Sequence, residues 1–147
     1  MPLIWRDAMN VGHKVIDDDH KRLVEIINAY EAELSNGVRE EAISKILRQL
    51  YDYAQSHFIR EERVQLRCAY PFHDAHKRDH QDLLRQLHDI IRKYFIDRTS
   101  EIDLAAAAEL AEFLRTWLKE HIIKADLRMK PFLDAARLKG GSEVSAD

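Results

Sequence analysis

Apolar residues recur every three or four positions along most of this chain, which is the period of an amphipathic helix. No stretch shows the strict alternation of a half-buried strand. Breaks are predicted at Asn36-Gly37, at Tyr70-Pro71 and at Pro131, because these residues end or interrupt helices. The pattern predicts four long helices and a short terminal one, covering roughly residues 18–34, 39–67, 72–94, 100–130 and 132–138.

Four amphipathic helices with short connections predict an all-α fold, an antiparallel up-and-down four-helix bundle. Asp17 to Asp19 are predicted to cap the first helix, and Ser100 to Asp103 resembles a capping box for the fourth. Residues 1–16 are expected to form an N-terminal arm, and residues 139–147 a flexible tail after the short C-terminal helix. The 147 residues fit a single domain, 1–147.

Composition narrows the class of protein. Apolar residues make up 46% of the chain and charged residues 33%, as in a soluble helical domain. The net charge of -3 gives no electrostatic reason to expect nucleic acid or an anionic membrane as a partner. No apolar run suggests a signal peptide or membrane insertion. Cys68 is the only cysteine, so no intrachain disulfide is possible, and a cytoplasmic location is predicted.

Five histidines and two carboxylates stand out as candidate metal ligands. His57 and Glu61 are four residues apart, as are His76 and His80, so each pair shares one helical face. Each group also lies within an apolar stripe, where an unpaired polar group would be costly. The candidate set is His20, His57, Glu61, His76, His80, His121 and Asp126.

The positions of these residues along their helices predict that they meet at one end of the bundle. His20 begins the first helix, His57 and Glu61 end the second, His76 begins the third, and His121 ends the fourth. This start, end, start, end order is what antiparallel helices require.

Asp126 fits less simply, because it follows His121 by five residues. Five residues turn an ideal helix by about 500°, so the two side chains should not share a face. A π-bulge or a helix end near the site would reconcile them. The alternative interpretation is that Asp126 is a surface carboxylate.

The ligand count suggests two metal ions. Five imidazoles, two bridging carboxylates and a bridging oxide or hydroxide would leave about one position open on two six-coordinate ions. Ligands of this type, without thiolate, suit iron and also zinc, copper or manganese.

The chain resembles the hemerythrin family, specifically the bacterial single-domain hemerythrins. The resemblance runs from Trp5 to about Asp126, and it implies a non-haem di-iron centre that binds O2 reversibly for storage, delivery or sensing. The stretches that carry it are Val11-Gly12, Ile16 to Lys21, His57 to Glu62, Tyr70-Pro71 with His76 and His80, and Trp117 to Ile122 with Asp126.

The resemblance also implies roles for individual residues. One iron would take His76, His80 and His121, and the other would take His20 and His57 and hold the open position. Glu61 and Asp126 would bridge the two ions, together with an oxo or hydroxo group. The O2 pocket would be walled by Leu23, Phe58, Trp117, Leu118 and Ile122, which are equally compatible with plain core packing.

Some residues depart from the family pattern or lie outside the ligand set. At three positions the family often has a different residue: an aliphatic residue in place of His13, Met in place of Gln65, and Gly in place of Ala69. His73 precedes His76 by three residues, so spacing alone permits it as a ligand, although the resemblance prefers His76 and His80. His13 and His88 are expected to be surface or packing residues, and Glu62 is expected to be solvated.

Binding is favoured over catalysis. Oxygen-activating ferritin-like enzymes use two Glu-x-x-His motifs, and this chain contains none. The expected ligand is therefore O2, with a protein oxygen recipient as a candidate partner. The alternatives are a di-iron enzyme handling O2, peroxide or nitric oxide, a protein for iron storage or detoxification, and an interaction module whose surface responds to metal or ligand state.

Overall fold

A computed structural model describes residues 1–147 as helices joined by short connections, with no strand. The four bundle helices are α1 (Lys14–Leu34), α2 (Glu40–Arg67), α3 (His73–Ile91) and α4 (Leu104–Leu118). Two of them continue as π-helix, α3 into Arg92–Ile96 and α4 into Lys119–Ile123. One turn, α5 (Lys124–Asp126), and a 3-10 turn (Leu127–Met129) lead into α6 (Lys130–Gly140).

The helices pack as the predicted up-and-down bundle, with α1 against α2 and α4, and α2 also against α3. The prediction of an all-α bundle is therefore confirmed. Its main core is apolar and fully buried, and includes Leu23, Ile27, Leu47, Leu50, Leu87 and Leu114. Burying one such side chain stabilises a fold by about 1.5–3 kcal/mol. No helix is both long and apolar enough to cross a membrane.

A second apolar cluster closes the end of the bundle where α1 begins and α2 ends. It joins the N-terminal arm, α1, α2 and the C-terminal segment, so this end is sealed from solvent by chain from both termini. Its members are Val11, Ile16, Val64, Tyr70, Met129, Leu133 and Ala146.

The first helix begins earlier than predicted, and His13 rather than an aspartate caps it. The Ile16 backbone N–H donates to His13 Nδ1 at 3.4 Å. Asp17 turns back instead, and accepts from the backbone N–H groups of Val11 at 2.8 Å and Gly12 at 3.2 Å. Gly12 has a φ of +87°, a conformation that glycine adopts without steric cost.

The fourth helix is capped by Asp103, not by Ser100 as the capping-box pattern predicted. Asp103 Oδ1 accepts from the Ala106 backbone N–H at 2.8 Å. Asp103 still follows the N-cap preference on which the prediction was based, because an aspartate side chain satisfies one of the free N–H groups at a helix start.

Residues 139–147, the predicted flexible tail, lie against the bundle in the structure, and their flexibility stays a prediction. α6 extends to Gly140, and the chain then folds back, burying Ala146 to 8% exposure. Arg67 donates to the Ser145 carbonyl at 2.8 Å. His13 Nε2 lies 2.5 Å from the Val144 carbonyl. Since His13 Nδ1 accepts from Ile16, Nε2 carries the proton and donates to that carbonyl.

His13 is therefore a buried link between the start of α1 and the tail. We expect His13→Ala to lower the free energy of unfolding by about 1–2 kcal/mol, because a helix cap is worth about 0.5–2 kcal/mol. His13→Asn should restore most of this loss, since asparagine is itself a strong N-cap. Denaturant unfolding would measure both, with the exposed His88→Ala as control. Equal stability of the two alanine variants would contradict a capping role.

Candidate metal centre

Six of the seven candidate ligands meet at one end of the bundle. α1 contributes His20, α2 contributes His57 and Glu61, α3 contributes His76 and His80, and α5 contributes Asp126. All six are buried, with His76 the most exposed at 7%. They form two overlapping groups of four whose ligand atoms lie within 4.8 Å of one another: His20, His57, Glu61 and Asp126; and Glu61, His76, His80 and Asp126.

Glu61 and Asp126 belong to both groups, and each divides its oxygens between them. Glu61 Oε2 lies 3.1 Å from His57 Nε2, and Glu61 Oε1 lies 3.1 Å from His76 Nε2. Asp126 Oδ2 lies 2.7 Å from His20 Nε2, and Asp126 Oδ1 lies 2.9 Å from His76 Nε2. Each carboxylate therefore faces histidines of both groups with a different oxygen.

The centre contains buried polar atoms that the protein leaves without hydrogen bonds. His57 Nε2, His80 Nε2 and Glu61 Oε2 all point into the cluster and have no partner of acceptable geometry. Buried polar atoms of this kind are rare because each is costly. A cation with nitrogen and oxygen ligands would satisfy all three, so the residues fit a metal of the type that imidazole and carboxylate prefer.

His121 lies outside both groups. Its side chain is exposed and lines a surface cavity of about 310 Å³ together with Asp79 and Glu120. It lies within the π-helix Lys119–Ile123, and the chain then returns to α-helix at Lys124. In this register Asp126 faces inward and His121 outward, so the five-residue step separates the two side chains, as it would on an ideal helix.

Asp19 is a site residue that the sequence analysis missed. Its buried carboxylate accepts from His57 Nδ1 at 3.1 Å, from Arg60 Nε and NH2 at 2.8 Å each, and from the Tyr53 hydroxyl at 2.8 Å. Burial alone would raise the pKa of Asp19, but the hydrogen bonds from His57 and Arg60 outweigh it and lower the pKa to about 2. The sequence pattern predicts only a helix-capping role for Asp19, because three consecutive aspartates favour a helix start.

His80 is held from two sides. Its Nδ1 donates to Glu62 at 2.8 Å, so the prediction that Glu62 is solvated is wrong. The Phe58 ring stacks on the imidazole with ring centroids 3.9 Å apart. Outer carboxylates of this kind orient a histidine ligand and raise its basicity. The position of Glu62 next to Glu61 in the sequence does not indicate that the Glu62 carboxylate holds His80.

The two buried carboxylates make the cluster favourable for positive charge. Burial would lower the pKa of His57, but the neighbouring carboxylates of Asp126 and Asp19 raise it well above its usual value. The same balance raises the pKa of His76 to about 10. For Glu61, burial is outweighed by hydrogen bonds from its neighbours, and the pKa falls well below its usual value. Protons and metal cations therefore compete for the same nitrogens.

The residues predicted to wall an O2 pocket are all buried in the bundle core, each at 2% exposure or less: Leu23, Phe58, Trp117, Leu118 and Ile122. The Trp117 indole donates to the Leu83 carbonyl at 3.3 Å. Phe58 contacts the rings of His57 and His80 and so lies directly against the candidate ligands. Their role toward O2 stays a prediction.

Cavities border the centre on the α3 side. One of about 280 Å³ is lined by Tyr70, Phe72, His76 and Arg128, among others, so it reaches a ligand from solvent. A further cavity, of about 1030 Å³, runs along the polar surface of α2 from Glu40 and is lined by none of the candidate ligands. His73 and His88 contribute to neither ligand group.

Residues 11–133 match the Hemerythrin HHE cation binding domain. This chain belongs to the hemerythrin family. The matched region contains every candidate ligand, from His20 to Asp126.

Individual relatives agree with this assignment. The chain is 34% identical over 135 residues to a bacteriohemerythrin of Pseudomonas paraeruginosa, covering 92% of this chain and 82% of the relative. A bacteriohemerythrin of Methylococcus capsulatus is 32% identical over 126 residues, covering 86% and 90%. A crystal structure of wild-type hemerythrin superimposes with a TM-score of 0.76 at 30% identity, covering 90% of this chain and 98% of that one.

The Asp19 network predicts that metal binding depends on a residue that is not a ligand. We expect Asp19→Asn to weaken Co²⁺ binding about 10-fold or more, because His57 loses the carboxylate that orients it. Titration against a chromophoric chelator would measure this. Asp18→Asn changes the neighbouring exposed carboxylate and should bind Co²⁺ as the wild type does. Equal affinities for the two variants would show that Asp19 serves only packing and charge balance.

Proposed function

We propose that this protein binds O2 reversibly at a non-haem di-iron centre. The observation that carries the proposal is that two groups of buried ligands share both Glu61 and Asp126. Membership of the hemerythrin family, whose bacterial members include the relatives described above, supports iron and O2 over other metals and ligands. Ferrous ions bound there would supply the electrons through which O2 is held.

The ligand assignment is part of this proposal. His20 and His57 would hold one ion and His76 and His80 the other, with Glu61 and Asp126 available to both ions and to an oxo or hydroxo bridge between them. We assign His121 to the ion of His76 and His80 on the resemblance to the family, although its side chain faces outward in the structure. The ion of His20 and His57 would then have fewer histidine ligands and would offer the open position to O2.

The protein's own contribution is to hold the ligands rigidly and to keep water away from them. Phe58 contacts the rings of His57 and His80, and Leu118 and Ile122 are buried with it in the apolar core. None of the three offers an acid, a base or an anchor for an organic substrate. An apolar environment favours the binding and release of O2 over proton-dependent chemistry, because superoxide or peroxide leaving the centre would not be solvated. Enzymatic turnover is therefore the weaker hypothesis. A protein recipient of O2 and a cytoplasmic location stay predictions.

The direct experiment is metal analysis combined with O2 titration of the reduced protein. After expression with ample iron, we expect about two irons per chain and an optical spectrum that changes reversibly with O2. The metal-free protein should melt at a lower temperature, because a ligand bound only by the folded state stabilises it. About one zinc per chain, with no iron-dependent absorbance, would contradict the proposal.

The assignment of His121 has its own test. We expect His121→Ala to reduce the iron content sharply and to weaken the di-iron spectrum, as His57→Ala should. His88→Ala, at an exposed histidine outside both ligand groups, should leave the iron content near two per chain. If His73→Ala removes iron while His121→Ala does not, the third histidine of that ion has been assigned to the wrong residue.

The apolar wall predicts slow loss of the oxygenated state. Leu118 is fully buried, so Leu118→Ala should cost roughly 2–5 kcal/mol of stability and admit solvent. The variant should still bind O2, but it should autoxidise faster than the wild type because water can then solvate the superoxide or peroxide that leaves. Stopped-flow absorbance would follow the decay. An unchanged autoxidation rate in a folded, iron-loaded variant would limit Leu118 to core packing.

A further inference from the structure

Gln65 is a fully buried polar side chain that contacts the centre without belonging to either ligand group. It lies one helical turn after Glu61 on α2. Its amide Nε2 lies 3.3 Å from Glu61 Oε1 and 3.4 Å from Met129 Sδ, while its Oε1 lies 3.1 Å from His73 Nδ1. The side chain therefore connects the half-buried His73 at the start of α3 to a candidate bridging carboxylate.

The chemistry of these partners fixes the direction of each hydrogen bond. An ionised carboxylate only accepts, so the amide NH2 of Gln65 must face Glu61. The amide oxygen then faces His73 Nδ1, which must carry the proton. Loss of the His73 donor would leave the buried amide oxygen of Gln65 without this hydrogen bond, which favours side-chain conformations that move the NH2 group away from Glu61.

The contact is also specific for one oxygen of Glu61. Glu61 Oε1 is the atom that faces His76 at 3.1 Å and His80 at 3.3 Å. Oε2 faces His57 at 3.1 Å. Gln65 thus acts on the oxygen directed to the His76 and His80 group, and the other oxygen makes no contact with it.

We propose that Gln65 is a positioning residue that holds Glu61 in its bridging orientation, and that His73 fixes the Gln65 amide in the orientation this requires. The inference rests on the proposed function only in taking Glu61 as a metal ligand. His73 then has a role that its three-residue spacing from His76 does not indicate. It acts on the centre through Gln65 and is not itself a ligand.

The test measures Co²⁺ affinity by chelator competition, so it requires neither iron nor O2. Gln65→Met keeps the length of the side chain but removes the amide, and should weaken binding about 10-fold, the lower range for loss of an outer partner. His73→Phe should weaken binding several-fold. His73→Asn should retain wild-type affinity, because an asparagine amide can donate from near the position of Nδ1. His88→Phe, at an exposed histidine of the same helix, is the matched control.

A double-mutant cycle tests whether the two residues act as one chain. Gln65→Met with His73→Phe should bind no more weakly than Gln65→Met alone, because the loss of His73 has no effect once the amide is gone. Additive losses, or wild-type affinity in Gln65→Met, would overturn the proposal. So would failure of His73→Asn to bind better than His73→Phe.

The metal-free protein provides a second readout. The side-chain amide resonances of Gln65 in ¹⁵N-correlated NMR spectra should shift in His73→Phe and remain in place in His73→Asn and His88→Phe. A purely structural role for Gln65 would lower thermal stability in Gln65→Met while leaving Co²⁺ affinity unchanged, which counts against the proposal. Failure of the wild type to bind O2 would overturn the proposed function but leave these affinities interpretable.

Discussion

Glu61 and Asp126 carry two negative charges into a part of the bundle from which solvent is excluded. Buried charges are costly unless they are paired and hydrogen-bonded. Histidines from three helices surround these two carboxylates, and the raised pKa values of His57 and His76 show how strongly the carboxylates favour positive charge. At this end of the bundle, α1, α2 and α3 are therefore arranged so that their histidines pair with both buried carboxylates.

A second layer of polar side chains supports the ligands. Asp19 holds His57 and is itself held by Arg60, while Glu62 holds His80 and Gln65 contacts Glu61. The contacts to His57 and His80 are made through Nδ1 of each ring and leave the inward-facing Nε2 free for the centre. A metal site depends on such partners nearly as much as on its ligands, and here they come mainly from α2, the helix that also supplies Glu61.

The end of the bundle beyond the ligands is closed by chain from both termini. His13 links the start of α1 to the backbone of Val144, and the apolar cluster that includes Val11 and Ala146 packs around them. These contacts exclude water from the region next to the ligands. An apolar seal and buried charge are complementary, because the electrostatic interactions inside grow stronger as solvent is removed.

Much of this fold could be predicted from local pattern alone. The apolar period identified the bundle helices, because a helix must bury one face. The four-residue spacing of His57 and Glu61 placed both on one face, and the alternation of ligand positions brought six ligands to one end. Helix boundaries were less certain: His13 and Asp103 cap the helices in place of the aspartates and serine that the pattern favoured.

What the sequence determined by itself was the class of fold, the set of candidate ligands and the end of the bundle where they meet, since periodicity and spacing are local properties. The tertiary structure decided which side chains stand behind those ligands. Asp19, Glu62 and Gln65 have unremarkable positions in the sequence, and their roles arise only from contacts with side chains of other turns and helices. The same holds for the outward orientation of His121, because the register of a π-helix depends on the packing around it.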